Sequence, residues 1–170
     1  MAKKSKAAGK VGSGGTPATV ALSEEGIPFA LHPYEHDPQT VSYGLEAAEE
    51  LGFEPTRVFK TLLADVGGSL VVAVVPVSGS LDLKALAAAV GAKKATMADP
   101  SEAEKVTGYV VGGISPIGQR KPLPTVLDQS AMGFSSILVS GGRRGLDIEL
   151  MPDHLVRVTN ARAAPIGRPD

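Results

Sequence analysis

A chain of 170 residues, 43% of them hydrophobic, is long enough to close one buried core and suits a single domain. It contains no cysteine, which excludes disulfides, zinc–thiolate sites and a cysteine nucleophile. No apolar run approaches the roughly 20 residues of a membrane span and the start carries no apolar signal core, so a soluble, cytoplasmic protein is expected. The formal charge of −1 conceals a basic start, because Lys3, Lys4, Lys6 and Lys10 fall within residues 1–15 and leave 13 cations against 18 anions in the rest. In that remainder the cations come in pairs beside glycine-rich stretches: Arg57 with Lys60, Lys93 with Lys94, Arg120 with Lys121, Arg143 with Arg144. Local basic clusters on an acidic body fit a confined phosphate contact better than generic wrapping of nucleic acid.

Residues 1–15, made largely of Lys, Ala, Gly and Ser without apolar periodicity, are expected to form a disordered basic tail. Thr16 as N-cap, Pro17 at the first helical position and Gly26 past the end delimit a short helix, and Ile27–Leu31 reads as a strand. In the segment from His32 to Asp37, Pro33 holds the backbone extended. His32 and His36 then share no helix face and make a poor metal pair, while Tyr34 either closes the core edge or turns its hydroxyl into a cleft. Gly44–Leu51 reads as an amphipathic helix with Leu45, Ala48 and Leu51 at helical spacing and Gly52 as its stop. Val58–Ala64 and Ser69–Val77 are strands joined through Gly67 and Gly68. Lys60 is the odd residue on the first of them: it points either to solvent or into a cleft, where its ammonium would meet a carbonyl or phosphate oxygen. Ser80–Val90, stopped by Gly91, and a helix opened by Asp99-Pro-Ser-Glu102 in the manner of a capping box read as scaffolding.

A strand over Gly108–Val111 is expected to run into a loop reaching Lys121. Gly112, Gly113 and Gly118 let the main chain approach a ligand and turn N–H groups onto an oxygen, and Arg120 and Lys121 add positive charge at the exit. The loop has the glycine spacing of a P-loop, but Gln119-Arg120 stands where Lys-Ser/Thr is required, and Pro116 opposes a helix in the usual register. A nucleophile elbow would need glycine where Ile117 stands, so Ser115 is not expected to be acylated. A tight glycine loop with no ligand stays an alternative. Thr125–Leu127 follows as a strand, and Ser136–Val139 leads into a second glycine loop, Ser140–Gly145, with Arg143 and Arg144. Asp147–Leu150 then reads as a strand and Pro152–Val156 as a short helix. These units, with Lys60 and Tyr34, describe a cleft lined by main-chain donors. The sequence offers no catalytic triad, metal cluster or cofactor loop, so any reaction is one that positioning and electrostatics can carry, such as hydrolysis of an activated ester.

Taken together, Thr16-Pro-Ala18, His32-Pro-Tyr-Glu-His-Asp37, Phe59-Lys-Thr-Leu-Leu63, Met97-Ala-Asp99, Thr107–Lys121 and Val139–Leu146 resemble the YbaK/EbsC family, specifically its free-standing cysteinyl-tRNA(Pro) deacylases. The likeness spans about residues 16–160 and leaves 1–15 and 161–170 as tails. It implies a single α/β domain, a mixed, mostly antiparallel β-sheet curled toward a barrel with surrounding helices. It also implies a trans-editing hydrolase that cleaves the ester linking cysteine to tRNA(Pro), which prolyl-tRNA synthetase makes by mistake. Lys60 then corresponds to the functional lysine, with the Gly112 and Gly113 N–H groups beside the reacting carbonyl. Tyr34, Tyr109, Ser115, Ser140 and Asp147 would line the pocket, and Arg120, Lys121, Arg143 and Arg144 would meet acceptor-stem phosphates. The implied nucleophile is the substrate's own thiol, so no cofactor and no metal is expected. The implied partners are the acceptor end of mischarged tRNA and prolyl-tRNA synthetase, with no membrane. A deacylase for alanine that uses a bound water, and a non-catalytic module that binds tRNA or the synthetase, stay open as alternatives, as does the oligomeric state.

Overall fold

The computed structural model describes residues 15–170, so the expected basic tail lies, but for Gly15, outside the described residues. The main sheet runs in the order β5-β2-β3-β6-β9, built from Phe59–Asp65 (β2), Leu70–Pro76 (β3), Thr96–Met97 (β5), Thr125–Asp128 (β6) and Arg162–Ala164 (β9). β2 and β3 form the expected hairpin, with Phe59 opposite Pro76 and Asp65 opposite Leu70. β6 pairs in parallel with both β3 and β9. The central β3 is buried on both faces from Val71 to Val75, which is why it reads as an unbroken apolar run. A second, antiparallel sheet joins Ala30–Pro33 (β1), Leu146–Leu150 (β8) and Ile137–Arg143 (β7) in the order β1-β8-β7. Gly79–Leu81 (β4) and Gly167–Pro169 (β10) make a separate two-stranded ribbon. The two larger sheets meet at one parallel bridge, Val58 with Leu138, and diverge beyond it. The result is a mixed, mostly antiparallel β-structure curled toward a barrel but not closed.

The alternation of β3 divides the core. Val72 and Val74, with Phe59 and Leu63 of β2, pack between the two sheets against Ile137, Val139, Ile148 and Leu150. Leu22 of helix α1 (Pro17–Glu24) and Leu155 of helix α5 (Pro152–Thr159) seal this core. Val71, Ala73 and Val75 face the other way, toward Val126, Ile166 and Leu86 of helix α3 (Leu83–Ala89). Each such Val, Leu or Ile contributes about 1.5–3 kcal/mol of burial, so both layers matter to stability. Helix α2 (Tyr43–Leu51) stops at Gly52 and helix α4 (Pro100–Thr107) at Gly108, both glycines in the left-handed region.

Several expectations shift where pairing overrides local pattern. The strand expected at Ile27–Leu31 occupies Ala30–Pro33, because its register is set by β8. The helix expected from Ser80 starts at Leu83, since Gly79–Leu81 pair with β10 and Asp82 supplies the cap to Ala85 N–H. Asp99 precedes α4 but caps no N–H; its carboxylate takes the Ser101 hydroxyl instead. Gly108–Val111 is no strand: Gly108 caps α4, and Gly113 N–H closes a turn on Val110 O at 2.8 Å. The second glycine loop is mostly strand, with β7 continuing through a bulge between Ser140 and Arg143. Residues 161–170, expected as a tail, contribute β9 and β10.

Helix α1 is fixed to this frame at its first residue. Thr16 and Thr19 form a reciprocal capping box, and the Thr16 hydroxyl also donates to Gly141 O of β7. Thr16→Ala is expected to cost about 1–2 kcal/mol, measured as a lower urea midpoint with unchanged m, whereas Thr16→Ser keeps most of the stability.

Candidate functional site

The divergence of the two sheets opens a cleft of about 450 Å³ along β2. Lys60 enters it half-buried, on the opposite face of β2 from Phe59 and Leu63, and its ammonium donates to Gly79 O at 2.7 Å. The lysine is therefore positioned by the protein and is not a freely solvated surface cation. Its partner carbonyl is itself held from behind. Gly79 lies so close to β10 that a Cβ there would come within 2.1 Å of Arg168 O. The turn into β10 is fixed by Asp128, whose carboxylate accepts Ile166 N–H at 2.9 Å and Gly167 N–H at 2.8 Å. Asp170 follows, taking the Ser80 hydroxyl at 2.9 Å and reaching the cleft wall.

Tyr34, Lys60, Gly112, Ser140 and Asp147, distant in sequence, all line this cleft. Tyr34 follows β1, while Ser140 and Asp147 are opposite one another on β7 and β8. Asp147 is 5% exposed, and burial pushes its carboxyl from an ordinary 3.8 up to about 7. The Tyr34 hydroxyl is pushed up to about 12, by burial and then by the Asp147 charge, so near neutral pH it is a protonated donor. Gly112 has φ 88°, and a Cβ there would come within 2.7 Å of the Tyr43 ring. Only glycine lets that ring close the wall. The guanidinium of Arg144 covers Tyr43 at 5.0 Å from the ring centroid while its Nε donates to Val111 O at 2.8 Å.

Three expected pocket groups stand elsewhere. Tyr109 is buried with its hydroxyl donating to Ile117 O at 2.6 Å. Ser115 is wholly buried, its hydroxyl accepting Ile117 N–H at 3.2 Å. Gly113 is packed on the backbone of Arg143 and Arg144, and its N–H is spent on Val110 O. The central stretch is thus largely a self-bonded knot, and Gly118, with φ 71°, seats it against Pro17 of α1, where a Cβ would lie 2.5 Å from the carbonyl oxygen. Arg120 and Lys121 stand by the end of α4, where Arg120 donates to Lys105 O at 3.2 Å and neither residue lines the cleft. Arg143 is exposed beside Arg144 at the β7–β8 turn. Arg57 spans the sheets, its guanidinium bonding Ser136 and Glu149.

Sequence reasoning missed Tyr43, Thr61 and the apolar rim. Leu45, expected on the buried face of α2, is 48% exposed at the cleft with Val41 and Met97, while Glu46, Ala47 and Ala48 turn inward. Glu46 can be buried because His36 and Asp37 N–H bond it at 2.8 Å; although burial alone would raise its carboxyl, these partners hold it below the ordinary range. No signal short of the tertiary contact distinguishes that face. Thr61 was readable as the residue after Lys60, and its buried Oγ1 has no hydrogen-bond partner.

The Asp147 shift fixes a sign. A carboxyl raised in the folded state binds a proton that the unfolded chain releases, so its contribution falls as pH rises from about 4 to about 7 and is level above. Glu46 and Glu149 are lowered and act below that window. Wild type minus Asp147→Asn, compared by melting temperature across pH 4.5–7.5, is expected to decline toward neutrality; a flat difference would show that burial does not raise the group.

The sequence pattern of the aminoacyl-tRNA editing domain matches residues 37–158. Over 153 residues the chain is 48% identical to EbsC of Enterococcus faecalis (strain ATCC 700802 / V583), named as a candidate Cys-tRNA(Pro)/Cys-tRNA(Cys) deacylase, across 89% of this chain and 92% of that protein. A solved structure described as a candidate trans-editing enzyme for prolyl tRNA synthetase superimposes with a TM-score of 0.79 at 25% identity, over 89% of this chain and 95% of that one. The solved hypothetical protein APE2540 does so with a TM-score of 0.79 at 25% identity, over 89% of this chain and 99% of its own. The chain, in fold and in sequence, belongs to the aminoacyl-tRNA editing domain family.

Proposed function

We propose that this protein is a trans-editing deacylase that releases cysteine mischarged onto tRNA(Pro), with the substrate's own thiol as nucleophile. The kinship to EbsC and to the trans-editing structure supports the substrate class. The observation that carries the mechanism is the make-up of the cleft: a cation, main-chain groups, hydroxyls and two carboxyls, Asp147 and Asp170, but none of the three histidines. His32 and His36 bond Glu149 and Glu46, and Ser140 Oγ accepts Gly142 N–H at 3.2 Å, so no imidazole is placed to activate a serine.

In this reading the thiol sulfur attacks the ester carbonyl carbon within the same aminoacyl group and forms a C–S bond. The carbonyl oxygen takes up the electron pair, then the carbon–oxygen bond to the ribose breaks. The thiol proton passes to the departing ribose oxygen, and the thiolactone opens in water to cysteine. Lys60, with one ammonium proton on Gly79 O, turns the others to a ribose or phosphate oxygen and orients the ester. Asp147, in its ionised form, faces the α-ammonium, and Gly112 N–H approaches the carbonyl. Arg143 and Arg144 meet acceptor-end phosphates at the cleft mouth, with Arg120 and Lys121 farther along the acceptor stem. Among the described residues no helix is long and apolar enough to cross a membrane; we place the reaction in the cytoplasm, with prolyl-tRNA synthetase as the partner that supplies the mischarged tRNA.

Release of labelled amino acid from Cys-tRNA(Pro), S-methylcysteinyl-tRNA(Pro) and Ala-tRNA(Pro) tests both parts. The first is expected to be cleaved and the other two spared. Equal cleavage of the S-methyl or alanyl ester would mean attack by water, and no release from any would leave a binding module. Lys60→Ala is expected to lower kcat by about 10²–10³-fold with an unchanged melting temperature.

A further inference from the structure

We infer that the substrate is held by a main-chain donor outside the glycine loops: the Thr61 N–H, on an uncovered stretch of β2, donates to the acyl carbonyl oxygen. The inference rests on the deacylase reading for its substrate, but its geometry comes from strand register. Val77 N–H donates to Val58 O at 2.8 Å, so these two residues are a hydrogen-bonded pair of the β2–β3 ladder. Such pairs alternate along antiparallel strands. Lys60 with Val75 and Leu62 with Ala73 therefore exchange bonds across the ladder, and Phe59, Thr61 and Leu63 turn their main-chain groups to the opposite edge. Leu63 bears this out, since its carbonyl accepts Ala98 N–H at 3.0 Å on that side.

Among the described residues the edge is covered at both ends and open between them. β5 pairs only with Ala64 and Asp65, and the neighbouring sheet bridges the chain only at Val58. Thr61 lies in the interval and lines the cleft. Its side chain repeats the message, because Oγ1 is buried without a partner, a condition that usually has a functional or structural reason. A strand N–H flanked on both sides by ladder-bonded residues is fixed in direction before substrate arrives, which is what stabilisation of developing charge requires. It also fills the place left by Gly113, whose N–H is consumed by Val110 O. As the thiol sulfur bonds to the carbonyl carbon, the displaced electron pair settles on the oxygen facing Thr61 N–H, and the thiol proton is carried to the departing ribose oxygen. When the carbonyl re-forms, the ribose oxygen leaves.

Two measurements on the full chain test this. In the first, 3′-deoxy-3′-cysteinylamido-adenosine, whose amide link resists cleavage, is titrated into protein labelled with ¹⁵N-threonine. The Thr61 amide proton is expected to move downfield and its hydrogen exchange to slow. In the second, the amide of residue 61 is exchanged for an ester by incorporating the α-hydroxy analogue of threonine, which deletes the N–H donor and keeps the side chain, with the wild type and an ester at Leu62 as folding controls for the weakened carbonyl. The expected result is a fall of about 10²-fold in kcat on Cys-tRNA(Pro) with KM nearly unchanged. An unmoved Thr61 resonance at saturation, or full kcat in a folded ester variant, overturns the assignment while cysteine release by the wild type keeps the deacylase reading. A wild type that shifts Thr61 but releases no cysteine overturns that reading and keeps the donor, and a protein that neither binds the analogue nor cleaves the ester loses both.

Discussion

The structure depends on one narrow junction between two sheets. Val58 and Leu138 form a single bridge, and Leu138 N–H donates to Arg57 O at 3.1 Å. Arg57 then ties the start of β7, through Ser136, to Glu149 of β8, with bonds of 2.6–2.9 Å. Burial alone would raise Glu149, but Ser136, His32 and Arg57 hold it ionised below the ordinary range, so the clamp is charged on both sides. Because the junction is one residue wide, the strands beyond it diverge. A longer ladder would close the barrel, pair the edge of β2 and leave no cleft.

Everything placed around that opening is held from the opposite side. Lys60 is aimed by Gly79 O, Gly79 by β10, and β10 by Asp128 at the end of β6. The opposing wall has the same construction: Tyr43 is seated on Gly112 and covered by Arg144, which bonds back to Val111. Both walls are thus fixed by contacts that span the described residues, from the capping box at Thr16 to the last of them. Rigid walls suit a reaction in which the protein contributes orientation and electrostatics while the reacting group belongs to the substrate.

What was legible in the sequence follows from the range of the interactions involved. The β2–β3 hairpin, the helix stop at Gly52 and the break in polarity at Lys60 are local, and each was readable from a few residues, whereas Gly108, read as the start of a strand, is the cap of α4. A cleft joining Tyr34, Lys60 and the two glycine loops was read from the residues, but the specific set with Asp147 was legible only through the likeness to a family, since no periodicity joins positions so far apart. Tyr109 and Ser115 show the limit of that route: both sit in the central stretch, but one hydroxyl and one serine oxygen serve the loop's own backbone. The strand at Gly167–Pro169 was illegible for another reason. Its only partner among the described residues is a three-residue strand read as the start of a helix, and two short segments that pair with each other carry almost no pattern of their own.

The distribution of unmet polar cost points the same way as the topology. Among the described residues only Thr61 Oγ1 and His154 Nδ1 are buried side-chain atoms without a hydrogen-bond partner, and the first lines the cleft. Asp147, in the same cleft, is held near 7 by burial with no cation near enough to lower it again. Outside the cleft, buried carboxylates are satisfied: Glu46 by His36 and Asp37 N–H, Asp128 by Ile166, Gly167 and Ser130. An unpaired buried hydroxyl costs about 1–3 kcal/mol and an ionised carboxylate in such a place more. That cost falls where an ammonium and a carbonyl oxygen would be bound, so part of the binding free energy offsets a defect already present in the empty fold. A site arranged this way gains most from a ligand that supplies both an ammonium and a carbonyl oxygen, as an aminoacyl ester does, and little from the free acceptor end of a correctly uncharged tRNA.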